Sequence, residues 1–267
     1  MLSKPLITGV TFGADPELFL KNVDNGHFVS AVGRIGGTKQ EPKPLPVLGS
    51  AVQEDNVAIE FNIAPVVTKQ GFVHSLIKTI EYLQAEVAKQ KLTLVCEASA
   101  MFPAEELNSI EARTFGCDPD YNAWMRVENE PPELPADMWN LRSAGGHLHI
   151  GYNDPNPELS MHLIKTLDIF VGAPAIEHDT DIRRRLLYGK AGAFRFKSYG
   201  AEYRTLSNFW LQSQEKMEWV FDQAEKAIEF VNNGGQIDLE RDWTDVVQAI
   251  NFGNKKALTS LKSRYPI

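Results

Sequence analysis

Four short stretches of β-type sequence carry ionisable side chains at even spacings, and this pattern restricts the chain's folds more than any other feature. Asp15-Pro16-Glu17, Glu54 through Glu60, His147-Leu148-His149 and Glu202-Tyr203-Arg204 each place such groups two or six residues apart. In an extended backbone, residues an even number apart point to the same face. If the four strands neighbour one another, one sheet face carries five carboxylates, two imidazoles and an arginine. Burying so many acids is strongly unfavourable, because like charges repel at low dielectric. A divalent cation resolves the conflict. Carboxylate-rich sets suit Mg²⁺ or Mn²⁺, and imidazole tilts one set toward Mn²⁺. Mg²⁺ also leaves coordination positions for phosphate oxygens, so a metal-bound nucleotide is the guest such a face fits.

Taken singly, each stretch has a plainer reading. Asp15-Pro16-Glu17 reads as a solvated turn, the histidine pair as a polar sheet face, and Glu202 with Arg204 as a cross-strand ion pair. Their coincidence is what points to metal.

The surrounding sequence supplies the scaffold. Leu6–Phe12 and Leu18–Leu20 read as strand, and Asp24-Asn25-Gly26 as a hairpin turn into His27–Val32. Gly33–Ser50, with four glycines and three prolines, reads as a long loop, and Val57–Ile63 as strand. Phe72, Leu76, Ile80, Leu83 and Val87 share one face of a helix over Thr68–Lys89, with Thr68 as its N-cap. Leu92–Cys96, Gly145–Tyr152 and Ala201–Leu206 are further strands. Glu158–Ile176 is an apolar helix, Gln212–Val231 an amphipathic one, and short helices near Trp243–Ile250 and Lys255–Ser263 end the chain. Strands come first, without regular βαβ alternation. No Gly-x-Gly-x-x-Gly follows a strand and no P-loop motif occurs, which removes the main support for dinucleotide-binding and P-loop folds. The expected fold is α+β, a mainly antiparallel sheet with helices packed on one face. All 267 residues are read as one domain whose part beyond about residue 210 is helical.

Charge narrows the partners. Lys and Arg number 27 against 35 Asp and Glu, a net charge of −8, which argues against broad nucleic-acid binding. No run approaches the ~18 uninterrupted apolar residues of a membrane span. Two cysteines, Cys96 and Cys117, do not make a disulfide scaffold, and the N-terminus lacks the apolar core of a secretory signal. The expected location is the cytoplasm.

Several of these segments resemble a known family. Gly13-Ala-Asp-Pro-Glu-Leu-Phe-Leu20 resembles the first acidic strand of glutamine synthetases. Gly145-Gly-His-Leu-His-Ile-Gly151 is similar to their glycine-rich His-x-His strand, and Glu202-Tyr-Arg204 to their late Glu-x-Arg strand. Closer still is the phage-type carboxylate–amine ligase family (COOH–NH2 ligase, type 2). The chain resembles it in Gly-Ala-Asp-Pro-Glu, Gly36-Gly-Thr-Lys39, Glu54-Asp-Asn56 and Gly116-Cys-Asp-Pro-Asp-Tyr-Asn122. The run from Tyr188 through Arg195 to Arg204 matches as well, and the similarity extends from about residue 12 to about residue 209.

The resemblance implies a glutamine synthetase-like catalytic domain, within the superfamily that includes glutamate–cysteine ligases, with a curved sheet and helices on its outer face. It implies ATP-dependent amide formation through an acyl phosphate, between small-molecule or peptide carboxylates and amines, and it leaves a homo-oligomer open. If the gene is phage-borne, the compartment is the host cytoplasm. By the same pattern, Glu17, Glu54 and Glu60 would hold one Mg²⁺ or Mn²⁺, and Asp15, His147 and Glu202 the other, with His149 near the phosphates. Glutamine synthetases carry Glu where Asp15 stands. Arg204 and Arg195 would stabilise the moving phosphoryl group beside catalytic Glu60, and Lys190 and Lys197 would contact nucleotide phosphates. Asp118 or Asp120 would accept the amine's proton. Gly36–Lys39 would cover phosphates, Gly116–Asn122 would shape the substrate pocket, and Cys117 would pack as a small side chain. Arg183-Arg184-Arg185 is read as a solvated charge run for at least two of its three members. The rival readings are a metal-dependent amide hydrolase and a non-catalytic metal- or nucleotide-binding protein.

Overall fold

The computed structural model describes residues 6–113 and 120–267. Its strands are β1 (Thr11–Asn22), β2 (Phe28–Val29), β3 (Lys43–Pro44), β4 (Ala51–Asp55), β5 (Ala58–Asn62), β6 (Leu92–Val95) and β7 (Ser99–Met101). They continue with β8 (Tyr121–Asn122), β9 (Val127–Glu128), β10 (Leu141–Ser143), β11 (Gly146–Gly151), β12 (Ala193–Lys197) and β13 (Gly200–Tyr203). The helices are α1 (Lys69–Ala88), α2 (Ile110–Arg113), α3 (Pro157–Leu167), α4 (Arg184–Leu187), α5 (Gln214–Asn232), α6 (Leu239–Phe252) and α7 (Lys255–Lys262).

Among the described residues, eleven strands form one sheet in the order β3-β4-β5-β1-β11-β13-β12-β8-β9, with β2 and β6 also paired to the long β1. Every one of its ladders is antiparallel. The α+β expectation therefore holds. Alternation divides the faces. Phe12, Ala14 and Leu18 of β1, Leu148 and Ile150 of β11, Ala201 and Tyr203 of β13, and Phe194 of β12 are buried and apolar on one side. The residues between them are the polar ones taken up below.

The apolar face is covered by helices whose starts are legible in the sequence. Thr68 caps α1 by accepting from the Gly71 N–H at 3.1 Å, and Phe72, Leu76, Leu83 and Val87 are buried. Phe72 stacks on Trp210 with ring centroids 5.9 Å apart, and Phe12 meets Phe221 of α5 at 4.3 Å. Each such ring contributes about 1.5–3 kcal/mol by leaving water.

Three elements differ from expectation. Glu54 to Glu60 is a hairpin, β4–β5, because Asn56 turns the chain at φ 57°. The predicted helix over Glu158–Ile176 is α3 followed by a π turn at Asp168–Gly172 and a 3-10 turn at Pro174–Glu177. Asp168 there accepts hydrogen bonds from Trp124 Nε1 (2.7 Å), Tyr203 Oη (2.8 Å) and Thr205 Oγ1 (3.2 Å), tying the turn to the sheet. The stretch Pro157–Glu177 is long and apolar enough to cross a membrane by length and composition alone, but 89% of its most apolar window is buried inside the protein. The third is β12, a strand that the sequence reading leaves out between two turns.

Candidate active site

Strand register assembles the polar face. Asp15 of β1 lies opposite His147 of β11, and Glu17 opposite Glu60 of β5. His149 lies opposite Glu202 of β13, which in turn faces Arg195 of β12. Gln53 faces Glu60 across the β4–β5 hairpin. Asp55 stands two residues from Gln53 on the same strand, so it shares that face. All of these project from one side because antiparallel partners share a face, and the other side is filled with apolar side chains.

Two groups of ligand-type atoms result. Asp15, His149 and Glu202 each offer one atom within 4.8 Å of the others, and so do Glu17, Asp55 and Glu60. Asp15, His149, Glu17, Asp55 and Glu60 line one cavity of about 480 Å³ together with His147, Arg195, Lys197, Tyr199, Arg204 and Lys39, and Glu202 is buried behind its wall against Lys197. A smaller cavity of about 60 Å³ adjoins it through Glu17, Asp55, His147 and Arg204, with Asn56, Arg142, Arg184 and Tyr188 on its far wall.

The electrostatics fit a cation. Burial, with the charge of Asp55, pushes Glu17 up to about 7, against the pull of the Gly145 N–H that its Oε2 accepts at 2.9 Å. Burial and the acids Asp15, Asp55 and Glu17 push Glu60 well above the usual carboxylate range, although Gln53 donates to its Oε1 at 2.9 Å. This second group is therefore an over-crowded acid cluster in which the nearby charges of Arg184 and Arg204 do not offset burial and mutual repulsion. Around Asp15 the balance differs. Burial raises it, but His149 and His147 outweigh that and hold it well below the ordinary value. Burial and Asp15 likewise raise Glu202, yet Arg204, His147 and His149 bring it down to about 2. Glu202 sits among cations: an ion pair with Arg204, Lys197 Nζ at 2.7 Å and Arg195 at 3.6 Å.

Two of the buried atoms left without a hydrogen bond face each other here. Asp15 Oδ1 and His149 Nε2 are buried without a hydrogen bond although only 2.9 Å apart, and Glu202 Oε2 beside them is paired with Lys197 Nζ at 2.7 Å. Two groups this close whose angle makes no hydrogen bond, with a third carboxylate oxygen beside them, suit a shared ion better than each other. The donor set, two carboxylates and an imidazole, is one Mg²⁺ or Mn²⁺ accepts.

The predicted site residues distribute as follows. Asp15, Glu17, Glu60, His147, His149, Arg195, Lys197, Glu202 and Arg204 come together. Glu54 does not. Its expected place beside Glu60 assumed one unbroken strand, whereas in the hairpin it pairs with Ile59 and faces the other way. Its carboxylate instead accepts the N–H groups of Gly33, Arg34, Ile35 and Gly36 at 2.7–3.1 Å. That bond also removes the Gly36 N–H from the phosphate-covering role given to Gly36–Lys39, although Lys39 does line the cavity. Asp55 takes the position expected of Glu54; reading the Asp55-Asn56 turn as a hairpin would have found it. His149 rather than His147 completes the compact group with Asp15 and Glu202. His147 lies 3.3 Å from Asp15 and 3.4 Å from Arg204, and burial, with Arg204, lowers it to about 4.

Lys190 is exposed and is not among the residues lining either cavity. Asp120 meets Arg204 Nε at 3.4 Å, so it orients that guanidinium. Asp118, Cys117 and the part of Gly116–Asn122 before Asp120 lie outside the described residues. The reading of Arg183-Arg184-Arg185 as solvated is overturned: Arg184 and Arg185 are buried, and Arg183 is exposed. Arg184 donates to the carbonyls of Ala144, Arg204 and Thr205, pinning the approach to β11 against the exit of β13.

One face of the antiparallel sheet thus sets two carboxylate-rich groups, either of which could hold a metal ion, beside guanidinium and ammonium side chains. Residues 136–263, just under half of the chain, match the model of the phage phiEco32-like COOH.NH2 ligase-type 2 family, as the motif resemblance implied. No curated protein matches. Among solved structures, the crystal structure of a novel glutamine synthase homologue aligns at 12% identity and a TM-score of 0.40, covering 96% of this chain and 66% of its own. The cryo-EM structure of Plasmodium falciparum glutamine synthetase aligns at 9% identity and 0.41, covering 82% of this chain and 51% of its own. The chain thus spans between half and two thirds of those structures' lengths.

Proposed function

We propose that the protein is an ATP-dependent carboxylate–amine ligase, one catalytic unit acting in the cytoplasm, that activates a carboxylate as an acyl phosphate before an amine attacks it. The observation that carries this reading is that two acid-rich groups converge with Arg195, Lys197 and Arg204 at one cavity, the three cations gathered on Glu202 at its wall. A carboxylate does not condense with an amine in water, because its oxygen is a poor leaving group. Phosphorylation converts that oxygen into a good one.

Asp15, His149 and Glu202 would hold one Mg²⁺ or Mn²⁺, and Glu17, Asp55 and Glu60 the other. Such ions supply charge that neutralises a triphosphate and orients the phosphoryl group. The side chains gathered on Glu202 do the rest. Arg204 and Arg195 offer planar N–H forks matched to phosphoryl oxygens, and Lys197 offers a point charge. Asp120 and Glu202 keep Arg204 aimed, and the Gly145 N–H holds Glu17 in place. A small-molecule or peptide carboxylate would approach through the adjoining smaller cavity. An amide hydrolase would need the ions but leaves the three cations without a task.

The test is a melting series followed by turnover. A non-hydrolysable ATP analogue with Mg²⁺ should raise Tm beyond either alone by mass action. With hydroxylamine as the amine, ATP and a panel of carboxylates should yield hydroxamate and ADP in equal amounts. A Tm that responds to metal and ignores nucleotide would overturn the proposal.

A further inference from the structure

By motif, the metal-ligating role falls to the first histidine of His147-Leu148-His149, but the surroundings of the two rings differ. His147 Nδ1 faces Asp15 at 3.3 Å and also a guanidinium nitrogen of Arg204 at 3.4 Å, so this nitrogen is shared between an acid and a cation. His149 has a different outer partner. Its Nδ1 is hydrogen-bonded to the hydroxyl of Tyr199, whose ring extends away from the imidazole with centroids 6.0 Å apart and planes 25° from parallel. Tyr199 is itself held from behind, since its carbonyl accepts the Tyr152 N–H at 2.9 Å just beyond the end of β11. One ring nitrogen is thereby engaged outward. The other, Nε2, is buried, lacks a hydrogen bond and lies 2.9 Å from Asp15 Oδ1.

We propose that Tyr199 is a positioning residue that fixes His149 as the Nε2 ligand of the ion shared with Asp15 and Glu202. Metal-bound imidazoles commonly use their second nitrogen for such an outer bond, which sets ring orientation, and its loss typically weakens metal binding about 10–100-fold. The Glu17, Asp55 and Glu60 group contains no histidine, and its outer bonds are the Gln53 amide on Glu60 and the Gly145 N–H on Glu17. The inference rests on the two-ion reading but not on ligase chemistry.

Mn²⁺ binding to the nucleotide-free protein, followed by electron paramagnetic resonance, tests it. Tyr199→Phe should weaken one of two ions about 10–100-fold and leave the other at wild-type affinity, the unchanged ion reporting an intact fold. His149→Gln should weaken the same ion, and adding Tyr199→Phe to it should have no further effect. Two ions bound normally by Tyr199→Phe would overturn the assignment, as would the loss of both. So would weakening by His147→Gln with none by His149→Gln. If the wild type binds no Mn²⁺, the two-ion reading falls and the role of Tyr199 falls with it, whereas normal wild-type binding with an unaffected Tyr199→Phe refutes Tyr199 alone.

Discussion

Replacing Glu54 and Asp55 separately should give opposite results. Glu54 accepts four consecutive main-chain N–H groups, two of them at 2.7 Å, and so closes the loop that follows Gly33. Glu54→Gln keeps one acceptor oxygen and turns the other into a donor facing a donor. Bonds to a charged acceptor contribute about 1.5–3 kcal/mol each when buried. Because this loop is partly exposed, the expected net loss is about 2 kcal/mol, a fall in Tm of about 5 °C for a chain of this size. Mn²⁺ binding should be unchanged.

Asp55→Asn removes a charge that helps to push Glu17 up to about 7 and Glu60 well above its ordinary range. The metal-free variant should therefore melt at or above the wild-type temperature. It should nevertheless lose at least about tenfold in affinity for one Mn²⁺, since a ligand charge at close range contributes about 1.4 kcal/mol or more. Urea or thermal melts with parallel Mn²⁺ titrations separate the two effects. Loss of an ion in Glu54→Gln without loss of stability, or normal binding of both ions by Asp55→Asn, would refute the hairpin argument.

Other outcomes follow from the same structure. Glu17 and Glu60 have raised values, so their contribution to stability is present below the ordinary carboxylate range and is lost as pH rises through the raised folded values. The metal-free protein should accordingly lose stability from about pH 4.5 to about 7 as Glu17 ionises, with a further loss when Glu60 does, and Mg²⁺ should abolish most of that loss; a flat Tm profile without metal would contradict this. Arg184→Met should cost about 3 kcal/mol by leaving the carbonyls of Ala144, Arg204 and Thr205 unpaired in the interior, measured by urea melts. Arg184→Lys should recover only part of it, because one ammonium cannot span three carbonyls from two segments. Asp168→Asn should also destabilise, since an amide cannot accept from Trp124 on one side and from Tyr203 and Thr205 on the other, and near-wild-type melting would argue against that network.

Much of the site is readable in the sequence because a β-strand has a period of two. Asp15 with Glu17, and His147 with His149, must share faces whatever the strands pair with. Thr68 is readable as a cap for a related reason: the signal is local, one hydroxyl three residues from the N–H it accepts. The residues that sequence misplaces have the opposite character. Glu54 is one, because counting by twos fails across a turn, and Asn56 makes one. The burial of Arg184 and Arg185 is invisible in sequence because the carbonyls they bond come from residues as far away as Ala144 and Ile250.

Local chemistry in the chain therefore determined the kind of site: acids and imidazoles at even intervals in strands, with arginine and lysine nearby. Which of them meet was decided by sheet order. Placing β1 between β5 and β11, with β13 beside β11, brings Glu17 to Glu60 and His149 to Glu202 across gaps of 43 and 53 residues. Pairing across such distances depends on the whole apolar face packing beneath its helices. No window of sequence contains that energy, so Asp55 and Tyr199 enter the site only when the whole sheet has assembled.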